Sequence, residues 1–380
     1  MPESVTRAMT APIFLHRSDR FRSLFREINE GLTYVFQTTH DVLTFAASGT
    51  GAMEAAVANL LSPGDRVVTV QGGKFGQRWT ELCKVYGAEP EALDVEWGKV
   101  VDPDRVAERL GHRGQVKAVF VTHSETSTGV INDVEAIARA VRGRSDALLV
   151  VDGISSVGVM PLKTDEWGID VVVAGSQKGF MLPPGLSFAS VSPRAWEAAE
   201  RSASPAYYFS FIRAREALGK GDTAYTPAIS LLVGLKESLG LIRAEGIENV
   251  WARHARLAAA TRTAVEALGL KLLADSPSNA LTAVKAPNDL TAEAIINRLR
   301  QGCGITVSGG QGRLQGKIFR IGHLGHCEDA DIVAVISGLE QALADLGWVF
   351  ELGVGVKAAQ RALSVRPSRV RHNGEQNTHQ

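Results

Sequence analysis

The chain has no excess of charge. Its 380 residues carry 41 Lys and Arg against 41 Asp and Glu, for a formal net charge of zero. A dedicated nucleic-acid binder needs a basic surface to displace counterions from phosphates, so no nucleic-acid partner is expected. Long apolar runs are missing too. None approaches the ~20 residues that a membrane-crossing helix requires, so no membrane partner is expected. The opening MPESVTRAMTAPIF lacks the apolar core of a secretory signal. Cysteine is scarce: Cys83, Cys303 and Cys327 lie far apart with no Cys-x-x-Cys pair. That argues against a disulfide framework or a cysteine zinc site and for a reducing, cytoplasmic setting. His123, His323 and His326 show no ligand spacing, so no metal is expected. No internal repeat is evident.

What is present is ordinary globular material, 45% hydrophobic and 22% charged. At roughly 150 residues per domain the length suggests two domains. Residues 20–36 read as a helix. Val42–Ala46, Asp65–Val70, Val116–Thr122, Ala147–Val151 and Val171–Ala174 read as strands, with helices at Ala52–Leu61, 76–86 and Val134–Arg142 between them. The strands are continuous apolar runs, as expected where both faces of a sheet are covered. Alternation of such strands with helices predicts an α/β fold with a mostly parallel sheet. Leu231–Ala244 and Val250–Leu268 read as long helices, and residues 271–348 as shorter strands and helices. The expected division is a large domain over 1–250, a small C-terminal α/β domain over 251–350, and a polar, basic, disordered tail over 351–380.

Ligands of open α/β sheets bind beyond the carboxyl ends of the strands, and the notable polar residues fall there. Ser48-Gly49-Thr50-Gly51 joins a strand to a helix. Free N–H groups at a helix amino end suit a phosphate, although a tight structural turn reads equally well. It has neither the lysine of a P-loop nor the glycine spacing of a dinucleotide fold. Asp152 ends the run Ala-Leu-Leu-Val-Val, where a carboxylate needs a partner or serves as a helix cap. Lys178, in Ser-Gln-Lys-Gly, lies 26 residues further on. A lysine at a strand end in a cleft is a potential amine nucleophile. A phosphate cradle, an acid and a lysine at neighbouring strand ends match the needs of pyridoxal 5'-phosphate. The lysine forms the Schiff base, and the acid keeps the pyridine nitrogen protonated so that the ring acts as an electron sink.

The text around these residues resembles class V aminotransferases of fold type I, in the alanine–glyoxylate / serine–pyruvate branch. The resemblance rests on seven stretches in order: Ser48–Ala55, Gly73–Arg78, His123–Val130, Val150–Asp152, Gly175–Lys178, Tyr225–Ala228 and Arg320–Gly322. It implies a large domain built on a mostly parallel seven-stranded sheet, plus a smaller C-terminal domain. It further implies that Ser48, Gly49, Thr50 and Gln177 hold the phosphate. Phe75 would stack on the ring, Ile154 would pack beneath it and Ser127 would meet its 3-hydroxyl side. Asp152 would pair with the ring nitrogen and Lys178 would be the catalytic amine. Tyr225 and Thr226 would reach the phosphate of a neighbouring subunit, implying a homodimer with shared sites. Arg320, after an expected strand Lys317–Phe319, would grip the substrate carboxylate bidentately. Relatives usually begin with a Gly-Pro-rich segment that lines the substrate pocket; Pro2-Glu3-Ser4-Val5 resembles the residues just after it.

The activity implied is transfer of an amino group from a small L-amino acid, alanine or serine, to a 2-oxo acid such as glyoxylate or pyruvate. Two alternatives come from other classes. A lyase or cysteine desulfurase of the same fold commonly has a histidine beside the lysine, where this chain has Gln177, and Cys303 reads as a strand approach rather than a mobile loop. A non-catalytic subunit of a larger assembly has no need to keep Asp152, Lys178 and Arg320 together.

Overall fold

The computed structural model describes residues 1–111 and 115–365. Two helices come first, α1 (Glu3–Met9) and α2 (Asp19–Phe36). Strand β1 (Val42–Phe45) then leads into α3 (Gly49–Leu60), β2 (Arg66–Gln71), α4 (Lys74–Val85), β3 (Glu89–Asp94), α5 (Pro103–Gly111) and β4 (Ala118–Thr122). A short hairpin, β5 (Ser124–Glu125) and β6 (Val130–Ile131), precedes α6 (Val134–Arg142), β7 (Leu148–Asp152), β8 (Val171–Gly175) and β9 (Ser187–Val191). Helices α7 (Pro193–Arg201), α8 (Phe211–Leu218), α9 (Ile229–Glu245) and α10 (Ile247–Ala267) follow. The rest comprises β10 (Lys271–Leu272), β11 (Leu281–Lys285), α11 (Ala292–Cys303), β12 (Ser308–Gly309), β13 (Ile318–Gly322), α12 (Asp329–Asp345) and α13 (Val354–Ser364).

The large sheet has seven strands in the order β1-β9-β8-β7-β4-β2-β3. All neighbours are parallel except β9, which runs antiparallel to both β1 and β8. Its central strands read as unbroken apolar runs for a reason visible in the packing. Val119, Val121, Leu149, Val151, Val172 and Ala174 point into the core on one face, with α2, α6 and α9. Ala118, Phe120, Leu148, Val150, Val171 and Val173 point into the core on the other, with α3 and α4. Successive side chains alternate faces and both faces are buried, so no polar residue is tolerated until a strand ends. The small sheet is antiparallel throughout, in the order β10-β11-β13-β12.

Several boundaries differ from the sequence reading. Helix α3 starts at Gly49, not Ala52, so the Ser-Gly-Thr-Gly stretch is the cap and first turn of the helix. Strand β13 extends to Gly322, which puts Arg320 inside the strand, not after it. The expected boundary at 250/251 falls within α10. The expectation of disorder from 351 onward is corrected by α13, whose Ala359 and Leu363 are buried against Leu257, Ala260, Ala264, Ile332 and Ile336 of α10 and α12. The remainder of that tail, with Arg366, Arg369 and Arg371, lies outside the described residues. No helix among the described residues is long and apolar enough to cross a membrane.

Candidate active site

The amino ends of α3 and α4, the β5–β6 hairpin and the ends of β7 and β8 converge on a cavity of about 150 Å³, lined by Ser48, Gly49, Thr50, Phe75, Arg78, Ser124, Thr126, Asp152, Ile154, Ser155, Gln177 and Lys178. Ser48 is the N-cap of α3, and its side chain makes no capping bond. The helix therefore presents its amino end, with its partial positive charge, to the cavity. Gly49 allows close approach here: a Cβ at this position would lie 2.6 Å from Ile154 Cδ1. Arg78, one turn into α4, donates from Nη1 to Thr50 Oγ1 at 3.0 Å and places its guanidinium 4.9 Å from the centre of the Phe75 ring. Both residues lie three apart on one helix face, where side chains are neighbours.

Asp152 ends β7 and is buried. Its Oδ1 accepts the Ile154 N–H at 2.9 Å. Burial pushes its carboxyl up to about 7, and the charge of Glu125 adds to this; the Ile154 N–H, Arg78 and Lys178 oppose it. Lys178 follows β8 in a turn held by Ser176, whose hydroxyl donates to the Pro183 carbonyl at 2.7 Å and accepts the Leu186 N–H at 3.2 Å. Burial, then the nearby Arg320 guanidinium, lowers the Lys178 ammonium below its ordinary range, while Asp152 acts in the opposite sense. A depressed lysine is more easily a free amine. Gln177 Oε1 is buried with no partner.

Arg320 lies in the middle of β13, opposite Ala283 on one side and Ser308 on the other. Its Nε donates to the Gly309 carbonyl at 2.9 Å and its Nη1 to the Thr126 carbonyl at 2.7 Å. Among the described residues Nη2 has no acceptor. Two fixed backbone contacts thus aim a planar cation whose remaining donors are unspent.

Of the residues singled out from the sequence, eight line this cavity; Arg320 is not in the lining and reaches it through the Thr126 carbonyl, and three others lie elsewhere. Ser127 is buried away from the cavity lining. Its hydroxyl donates to Glu125 and accepts the Lys74 N–H at 3.0 Å. Thr126 and Ser124 face the cavity in its place. Tyr225 and Thr226 line a separate, apolar cavity with Phe25, Leu43 and Phe45. There the Tyr225 ring stacks on Tyr207 and Tyr208, with centroids 5.8 and 5.1 Å apart. Sequence reasoning gave no role to Arg78, Ser124, Thr126, Ser155 or Glu125. Arg78 carried a usable signal, its position one turn after Phe75. Among the described residues no group of three or more His, Cys, Asp and Glu is arranged to hold a metal ion.

The residues fit pyridoxal phosphate on the structure's own terms. The free helix end, with no side-chain cap on its N–H groups, suits a phosphate. A buried carboxylate beside a depressed lysine suits a protonated ring nitrogen and an aldehyde carbon.

Comparison with known proteins agrees. Residues 8–319 match the family Aminotransferase class-V. The chain is 48% identical to the soluble hydrogenase small subunit of Synechococcus sp. (strain PCC 6716), over 96% of each chain. It is 41% identical to the L-aspartate–glyoxylate aminotransferase of Paracoccus denitrificans, over 95% of this chain and 93% of the relative. It is 38% identical to the serine–glyoxylate aminotransferase of Methylorubrum extorquens, over 97% and 94%. The structure of alanine–glyoxylate aminotransferase from Nostoc sp. superposes with a TM-score of 0.86 at 32% identity, covering 90% of this chain and 92% of that one. The chain belongs to the class V aminotransferases and is a pyridoxal phosphate-dependent transaminase of fold type I.

Proposed function

We propose that this transaminase takes the amino group of a small L-amino acid, alanine or serine, and delivers it to glyoxylate or pyruvate. The observation that carries the reading is the single cavity holding Lys178, Asp152 and the amino end of α3, with Arg320 acting on Lys178 from the small sheet. Relatives named for aspartate and for serine as donors share glyoxylate as acceptor, which supports glyoxylate here.

Ser48, Gly49, Thr50 and Gln177 would hold the phosphate. Phe75 and Ile154 would pack on the two faces of the ring, and Asp152 would hold the proton of the ring nitrogen. When bound, pyridoxal phosphate supplies an electron sink for the substrate's α-carbon. Lys178 takes the α-proton as a free amine and returns it as an ammonium, acting as base and then acid. Burial lowers its proton affinity toward the range that this exchange needs. Arg320 binds the carboxylate that donor and acceptor share, so it orients both half-reactions. The enzyme works as a cytoplasmic homodimer in which Tyr225 and Thr226 of each subunit complete the phosphate site of the other. That both line a separate cavity of their own chain, and not the Lys178 cavity, supports this.

A second reading has one observation behind it, the name of the Synechococcus relative. It makes the chain a subunit of a larger assembly without catalysis of its own. One experiment separates the two. The purified protein, tested with alanine, serine and aspartate against glyoxylate and pyruvate, should transfer amino groups to glyoxylate. A yellow protein inactive with every pair would favour the subunit reading.

A further inference from the structure

Behind the cavity lies a carboxylate to which the reaction above gives no role. Glu125 is 1% exposed and sits between the β5–β6 turn and the first turn of α4. Its Oε2 accepts the N–H groups of Phe75 at 3.1 Å and Gly76 at 2.9 Å. Its Oε1 accepts the Ser127 N–H at 3.2 Å and the Ser127 hydroxyl. Burial raises the carboxyl above its ordinary range, and the Ser127, Gly76 and Phe75 donors oppose that; all four partners donate, so the acceptor-only, ionised form is the one that satisfies them. Helix α4 has no side-chain cap from its own N-cap, Gly73. Glu125 supplies that cap from about fifty residues away, at the positive end of the helix. Gly73 makes the approach possible, since a Cβ there would lie 2.4 Å from both Glu125 Cδ and Ser127 Oγ.

Two groups of the site depend on this anchor. One is Phe75, whose backbone N–H is bound directly. The other is Arg320, which donates to the carbonyl of Thr126, the next residue along the chain. The turn is closed by the Thr128 and Gly129 N–H groups on the Glu125 carbonyl, at 3.1 and 2.8 Å. The hairpin is also tied to the segment entering the small sheet. Ser124 and Ser278 hydroxyls lie 2.7 Å apart, and the Ser278 N–H donates to the Gly129 carbonyl at 2.8 Å.

We propose that Glu125 is a positioning residue: a fixed buried anion that sets Phe75 against the cofactor ring and Arg320 against the substrate carboxylate, and couples the two. The proposal rests on the transaminase reading above. Glutamine keeps the shape of the side chain but turns an amide donor toward an N–H donor. Aspartate keeps the charge but is one methylene short.

The test compares the parent with Glu125→Gln, Glu125→Asp and Ser127→Ala. It reads pyridoxal phosphate affinity by titration of the cofactor-free protein, the visible circular dichroism of the bound cofactor, and KM and kcat for donor and acceptor. Glu125→Gln should raise the cofactor dissociation constant and both KM values about tenfold, the scale of one charged hydrogen bond. It should weaken the dichroism, with a smaller fall in kcat. Glu125→Asp should lie between it and the parent. Ser127→Ala, which removes one donor of four, should move the same readouts by about twofold to threefold. A Glu125→Gln protein with parental affinity, dichroism and KM, altered only in melting temperature, would overturn the proposal. Should that variant not fold, parental values in Ser127→Ala would do the same. Failure of the parent to transfer amino groups would instead strike the transaminase reading, and the cofactor titration and dichroism would still judge the hold of Glu125 on Phe75.

Discussion

In the large sheet, β4, β7 and β8 are buried along their whole length, and the reactive groups appear only where a strand ends: Asp152 closing β7, Lys178 in the turn after β8. In the small sheet, Arg320 sits mid-strand, held by carbonyls on two sides. Phe319 and Ile321 fill the core on one face of β13, while Ile318, two residues from Arg320, packs with Trp97 of the large sheet's side. The difference assigns different tasks. Strand-end turns can place groups of unlike charge around a cofactor. A strand interior gives one rigid cation, suited to an invariant group such as a carboxylate. Damage to the large sheet's site should therefore strike the chemistry, and damage at β13 should strike substrate recognition.

The sharpest break is Lys178→Ala. On the proposed assignment this removes the amine that joins the cofactor and moves the proton, so turnover should vanish in a steady-state assay while Arg320 is left untouched. Next is Asp152→Asn. The fold should persist, but without an anionic partner for the ring nitrogen the barrier should rise by about 3–4 kcal/mol, about a hundredfold to a thousandfold in kcat. Near-parental kcat in this variant would remove Asp152 from the chemistry.

Arg320→Lys tests the other side of the comparison. Lysine cannot reproduce a planar two-point grip, and kcat/KM should fall by about 2–4 kcal/mol. The loss should be equal for alanine, serine and glyoxylate, and cofactor absorbance should not change. A loss confined to one substrate would mean that Arg320 reads a side chain.

The smallest effect concerns stability. Burial holds the Asp152 carboxyl near 7, against an ordinary value of 3.8. The folded, cofactor-free protein therefore binds a proton that the unfolded chain releases. The stability this contributes is full below pH ~4 and is lost as pH rises through ~7. Asp152→Asn removes the dependence. Its advantage over the parent in denaturant melts should grow from pH ~4 to ~7 and then level off at about 2 kcal/mol, within the ~4 kcal/mol that the full shift allows. An advantage that is flat with pH would show that Asp152 titrates normally.

Legibility followed the same division. β4, β7 and β8 are legible because a strand covered on both faces has no polar residue until its end, and the charged residues at or just past two of those ends, Asp152 and Lys178, stand out. Serine and glycine look like loop and so hide the start of α3, although Ser48 holds the N-cap position without a side-chain bond and Gly49 clears Ile154. Arg320 was recognised, but its strand was cut short, since an arginine breaks an apolar run without breaking the alternation. At the β5–β6 turn the sequence points to Ser127, whereas the structure sets Ser127 on Glu125 and lines the cavity with Thr126, one residue earlier. Helix α13 was hidden by basic residues around Val356, Ala359 and Leu363, which recur at helical spacing. Glu125 was not legible, because its four donors come together only in the folded chain.

The central claim is that Lys178 is the amine that joins the cofactor. Borohydride reduction of the purified holoenzyme, followed by proteolysis and mass spectrometry, tests it most directly. The account predicts one labelled peptide carrying the phosphopyridoxyl group on Lys178. A label on any other lysine, or none on a protein that transfers amino groups, would contradict it.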